Sequence, residues 1–134
     1  MKPGGAALLA LLAGCAPSPP ALCDGLPGQA GITAQLFFGR TMAAAPIGDA
    51  AWQDFMAASV TPRFPAGLTV LDAHGQWRRR GTGRMISEPS TVIVIATDRS
   101  AETLARLEAI RDEYRGRFRQ ESVGLVMTAN CASF

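Results

Sequence analysis

"TVIVIATDRS", Thr91–Ser100, decides the fold. Successive side chains of a strand point to opposite faces, so Val92 and Val94 fall on one side and Ile93 and Ile95 on the other. A strand apolar on both faces belongs in the middle of a sheet with cover on each side. Directly after it, Asp98 or Ser100 supplies the short polar side chain that accepts from the free N–H groups at the start of a helix. Leu104, Leu107, Ile110, Tyr114 and Phe118 then recur at helical spacing while charged residues fill the other positions, so this helix covers one face of the strand. The other face, apolar whichever pair it carries, is left for something else to cover: a second copy packed sheet to sheet, a ligand pocket, or a loop or tether folding back.

Working outward, "SVGLVMTA" (Ser122–Ala129) is a further strand. Upstream, "LTVLD" (Leu68–Asp72) is a strand, and Gln76–Glu88 forms the outer half of a hairpin turning at "GTG". That turn places Trp77 opposite Ile86, Asp72 opposite Thr91, Val70 opposite Ile93 and Leu68 opposite Ile95. "AHG" and "EPS" interrupt both strands at the same level, and Pro89 has no amide hydrogen for the ladder, so pairing is expected to weaken there and leave Gln76–Glu88 as an arm. Further back, Asp49 is expected to cap a helix bearing Trp52, Phe55, Met56 and Val60 on one stripe, stopped by Pro62 and Pro65. "ITAQLFFG" (Ile32–Gly39) is the first strand. The order βαββαβ predicts an α+β, ferredoxin-like sandwich: a four-stranded antiparallel sheet in the order 4-1-3-2 with two helices on one face.

The 134 residues suit one domain, and a composition 48% hydrophobic and 18% charged supplies a core. Lys2 is the only lysine, and a net charge of +2 gives no electrostatic footprint for nucleic acid. "MKPGGAALLALLAG" (residues 1–14) has one cation, a short apolar run and small residues before Cys15, the pattern of an export signal. Leu12-Ala13-Gly14-Cys15 resembles the lipobox of bacterial lipoprotein precursors, which implies a lipidated Cys15, a membrane anchor and residence in the cell envelope. Ala16 after the cysteine favours the outer membrane, facing the periplasm. The other reading is an ordinary secretory signal. Residues 15–31, rich in Pro, Ala and Gly, read as a tether, and 32–134 as a single α+β domain. In an oxidising compartment Cys23 and Cys131 either pair as a disulfide or stay as two thiols. One histidine and two distant cysteines show no metal-ligand spacing, and no cofactor is implied.

Chemistry concentrates in "TPRFPAGLTVLDAHGQWRRR", Thr61–Arg80. His74 between Asp72 and Glu88 has the composition of a general base with its orienting carboxylates, and Arg63 that of a substrate anchor for an anion. Asp72 to Gly75 is equally an ordinary turn signature. Arg78, Arg79, Arg80 and Arg84 surround the hairpin tip beside Trp77, where they either grip an anionic envelope ligand or protein partner or are simply solvated. Two functions compete: a non-catalytic envelope module binding a partner or ligand, and a small periplasmic enzyme working through His74, Asp72, Glu88 and Arg63 on an anionic substrate.

"LFFGR" (Leu36–Arg40), "AWQDFMAASVTPRFPAGLTVLDAHGQWR" (Ala51–Arg78), "EPSTVIVI" (Glu88–Ile95) and "RLEAIRDEYRGRFRQESV" (Arg106–Val123) together resemble the bacterial family called domain of unknown function 3574. The resemblance implies a small exported protein or lipoprotein. It implies no activity, cofactor or substrate.

Overall fold

The computed structural model describes Met1 and residues 22–134. The expected lipidation site Cys15, the expected signal beyond Met1 and the first part of the expected tether lie outside the described residues. Strand β1 spans Gln29–Gly39, so it begins before Ile32 and takes up the end of the expected tether. A two-residue hairpin follows, β2 (Thr41–Met42) with β3 (Ala45–Pro46). Its turn residues Ala43 and Ala44 both have positive φ, the backbone that a tight hairpin requires. Nothing in the apolar pattern had marked these two strands.

Helix α1 runs Asp49–Phe55 and continues as a π-helical turn, Met56–Val60. Gly48 is its N-cap without a side-chain bond, so Asp49 is a first-turn residue rather than the cap, and Arg40 reaches it at 3.3 Å. The expected stripe is in place: Trp52, Phe55, Met56 and Val60 are all buried. Strands β4 (Thr69–Arg78) and β5 (Met85–Thr97) form the hairpin, α2 spans Ala101–Phe118, and β6 is Gly124–Ala132.

The four long strands form one antiparallel sheet in the order β4-β5-β1-β6. In the hairpin Trp77 pairs with Ile86, Asp72 with Thr91 and Val70 with Ile93, the register expected from the turn. The expected break at "AHG" and "EPS" does not occur; pairing runs unbroken from Thr69↔Val94 to Arg78↔Met85. Proline is tolerated for a geometric reason. A residue's N–H and C=O point to the same side of its strand, and the Pro89 carbonyl accepts from the Arg40 N–H at 2.9 Å, on the side of β1. The missing donor is therefore directed where β1 runs out, and no bond to β4 is lost. Beyond Ser90, the last residue of β5 paired with β1, the hairpin does project past its neighbour.

Both helices pack on one face of the sheet. Ala34, Leu36 and Phe38 of β1 and Ile93 and Ile95 of β5 meet Trp52, Phe55, Leu107, Ile110 and Tyr114 in one core. Phe38 is ringed edge-on by Trp52, Phe55 and Tyr114 with centroids 4.7 to 5.9 Å apart. Such pairs add about 0.5–1.5 kcal/mol each beyond their burial. Burial pushes the Tyr114 phenol well above its ordinary pKa, and its hydroxyl donates to the Gly39 carbonyl at 2.7 Å. Among the described residues no helix is long and apolar enough to cross a membrane.

Cys23 and Cys131 are joined as a disulfide, with Cα atoms 5.2 Å apart. The pairing follows from the sheet: antiparallel β6 ends beside the start of β1, where Ala30 faces Cys131. On the face away from the helices, β1, β5 and β6 present Phe37, Val92, Val94 and Val126, and β4 adds Leu71.

Candidate functional site

Strand alternation separates the residues that the sequence grouped. In the regular β4–β5 ladder Asp72 and His74 lie on the face of Thr91 and Ser87, whereas Trp77 and Glu88 lie on the opposite face. Two side-chain bonds confirm this: His74 Nε2 meets Ser87 Oγ at 2.8 Å, and Trp77 Nε1 donates to Glu88 Oε1 at 2.7 Å. Arg63 turns elsewhere again. It donates to the Ser59 carbonyl at 2.7 Å and pairs with Glu113, bracing the end of the π-helical turn against α2. The Ser59 hydroxyl and Arg63 hold the Glu113 carboxyl below its ordinary pKa against the cost of its desolvation. The quartet Arg63, Asp72, His74 and Glu88 is therefore not brought together, and His74 is exposed.

Glu88 stands out once its surroundings are seen. It is 6% exposed, and Trp77 is its one hydrogen-bond partner among the described residues; none of their ion pairs includes it. Trp77 Nε1 takes up one carboxylate oxygen, and the other is not a buried atom without a partner, so it is open to the solvent beside it.

Space is cleared around it by glycines. Gly75 is its cross-strand partner, and Gly39 of β1 faces the adjacent Ser90. A Cβ at Gly39 would come within 2.6 Å of Glu88 Oε1 and 3.1 Å of Gln120 Oε1. The result is a hollow of about 280 Å³ on the sheet face away from the helices, floored by Phe37, Trp77 and Glu88 and bounded by the loop Gln120–Ser122. That loop is fixed: Gln120 Nε2 donates to the Thr41 carbonyl at 2.8 Å, and Glu121 pairs with Arg79 of the hairpin at 3.6 Å. Phe37 is 40% exposed and lines the same hollow.

An adjoining hollow of about 480 Å³ shares Trp77, Glu88, Gln120 and Glu121 with the first and is lined by Arg79, Arg84 and Arg119. Two of the four arginines expected at the tip thus line it with Trp77, while Arg78 and Arg80 line neither hollow. No motif or spacing in the sequence marks Arg119 as a member of this cluster. It sits at the end of α2 with φ 51°, a left-handed backbone. A larger hollow of about 600 Å³ near the disulfide is mostly backbone and small side chains; its one ionisable side chain, Asp98, is already engaged by Ser100 and Thr103.

The usable signal in the sequence was the glycines. Gly75 reads as a turn residue but lies inside β4 opposite Glu88, and Gly39 is the glycine that Glu88 approaches closely.

Over residues 33–134 the sequence matches the family described as protein of unknown function, DUF3574. No curated protein matches. Among solved structures, a phage SAM lyase in complex with S-methyl-5'-thioadenosine is similar at a TM-score of 0.60 and 20% identity, over 76% of this chain and 90% of that one. A phage SAM lyase in the apo state gives 0.57 and 21%, over 78% and 86%. CutA from Synechococcus elongatus PCC7942 gives 0.50 and 15%, over 79% and 82%. At these identities the likeness is one of fold, and fold does not carry chemistry with it.

Proposed function

We propose that the chain, which belongs to the DUF3574 family of proteins of unknown function, is a non-catalytic ligand-binding protein of the cell envelope whose ligand presents a cationic head to Glu88. One observation carries the reading: a buried residue, Glu88, whose carboxyl group has no ion pair among the described residues, beside a hollow lined by Gly39, Gly75 and the loop Gln120–Ser122. An ammonium group entering there gains a charge-assisted bond to Glu88 and lies against the exposed Phe37 ring, a cation–π contact of about 0.5–2 kcal/mol. A binding role is favoured over catalysis because Arg63 and His74 are engaged away from Glu88, and His74, which bonds the Ser87 hydroxyl, lies across the pleat from that carboxyl group.

Glu88→Gln tests this. Glutamine retains an acceptor for Trp77 Nε1 and removes the charge. Titration of the full-length protein with ethanolamine should move the Trp77 indole N–H resonance and leave that of Trp52, which is 4% exposed in the core, in place. The shift should vanish in Glu88→Gln. An equal shift in both proteins, or none in the unsubstituted one, would sink the reading.

The same proposal includes lipid anchoring at Cys15, supported by the Leu-Ala-Gly-Cys sequence alone. Cys15→Ser should then release the protein from membranes on fractionation, and continued sedimentation with them would count against an anchor. We also read the two helices on one face of the antiparallel sheet as a ferredoxin-like layout, with β2 and β3 as an addition to it.

A further inference from the structure

We infer that the ligand is a zwitterion, its cationic head at Glu88 and an oxyanion held by Arg84 and Arg119. The inference rests on the Glu88 reading and adds the second half of the ligand. Two adjoining hollows meet at the Trp77–Glu88 pair. Glu88 and Phe37 line the first; Arg79, Arg84 and Arg119 line the second. Arg79 is committed to Glu121 at 3.6 Å. Among the described residues neither Arg84 nor Arg119 forms an ion pair, nor does Glu88. Residues of opposite charge therefore line two adjoining hollows without forming an ion pair with each other, and a ligand carrying both signs satisfies both.

Arg119 occupies the left-handed position that closes α2, where glycine is the usual residue because a Cβ there costs about 1 kcal/mol or more. The helix dipole favours a cation at this end, and the same residue lines the second hollow. Guanidinium groups suit an oxyanion because their N–H fork donates two bonds to it, and phosphate offers several acceptors at once. The shared chemistry, an amine a few bonds from a phosphate, belongs both to a free phosphorylated amino alcohol and to a lipid headgroup.

The test uses the full-length protein, the Trp77 indole resonance as readout and Trp52 as the control for folding. Ethanolamine, inorganic phosphate and O-phosphoethanolamine are titrated separately. O-phosphoethanolamine should bind at least about ten-fold more tightly than ethanolamine, as a second charge-assisted contact worth about 1.4 kcal/mol or more requires. In the double variant Arg84→Gln, Arg119→Gly that advantage should disappear while ethanolamine binding is unchanged; glycine keeps the left-handed closure of α2 intact. Equal affinity for the two amines in the unsubstituted protein overturns the inference, as does an advantage that survives in the double variant. No response to ethanolamine overturns the Glu88 reading itself, so the two failures are distinguishable. Where the advantage is found, competition by phosphatidylethanolamine vesicles assigns the source to a lipid surface, and absence of competition assigns it to a free zwitterion.

Discussion

Glu88 and Gly39 show how a residue's role depends on atoms distant in sequence. Glu88 is nominated by sequence as a companion of His74, yet its neighbours are Trp77 across the hairpin and the bare backbone of Gly39 on the next strand. Gly39→Ala puts a methyl group where Glu88 Oε1 lies, and the obstructing atom is the end of a flexible side chain. The carboxyl group should swing away, the Trp77 hydrogen bond should break, and ethanolamine binding should fall at least about ten-fold while the Trp52 resonance holds. Unchanged binding would show that the glycine does not set the position of Glu88. Tyr114→Phe makes a complementary test on the core side. It removes the donor to the Gly39 carbonyl and should cost about 1 kcal/mol, or about 4–8 °C in Tm for a domain of this size, without altering the ligand titration.

At the scale of elements, the hairpin and α2 obey local rules that a sequence shows. The stripe Leu107, Ile110, Tyr114 and Phe118 is buried as its spacing requires, and the hairpin register follows from where the chain turns. The start of α2 also carries a titration. Asp98 accepts from the Ser100 hydroxyl and N–H and from Thr103, which hold its pKa at about 2, below the ordinary 3.8. A depressed carboxyl pKa adds stability above the unfolded value, and that contribution is lost as pH falls from about 4 to about 2. Asp98→Asn should therefore lower the urea midpoint at pH 6, and most of that gap should close by pH 2. A gap undiminished at pH 2 would assign the effect to the shape of the cap rather than its charge. The continuity of the hairpin through Pro89 was not legible, because it depends on β1 ending beside that residue.

For the molecule as a whole, the disulfide ties the start of the folded chain to its last strand across a separation of 108 residues. Closing a loop of that length limits the unfolded chain and is worth about 4–5 kcal/mol in the chain-entropy model. Cys23→Ser with Cys131→Ser should reduce unfolding free energy by about that amount in urea, and a loss under about 1 kcal/mol would mean that β1 and β6 are held by their ladder alone. The sequence by itself determined the four long strands and the two helices, their buried stripes, the hairpin register and the class of the fold, since each of these rests on contacts between residues close in the chain or on a strict period of two or three to four. Only the tertiary structure decided the site. Phe37, Gly39, Trp77, Glu88, Arg84 and Arg119 come from β1, the hairpin and the end of α2, and they meet because three strands and a helix end at one edge of the sheet. Periodicity reports which face a residue is on; it carries no information about which distant residues share that face. For that reason His74, two residues from Gln76 and close to Glu88 in the hairpin, was grouped with a carboxyl group from which the pleat of the strand separates it.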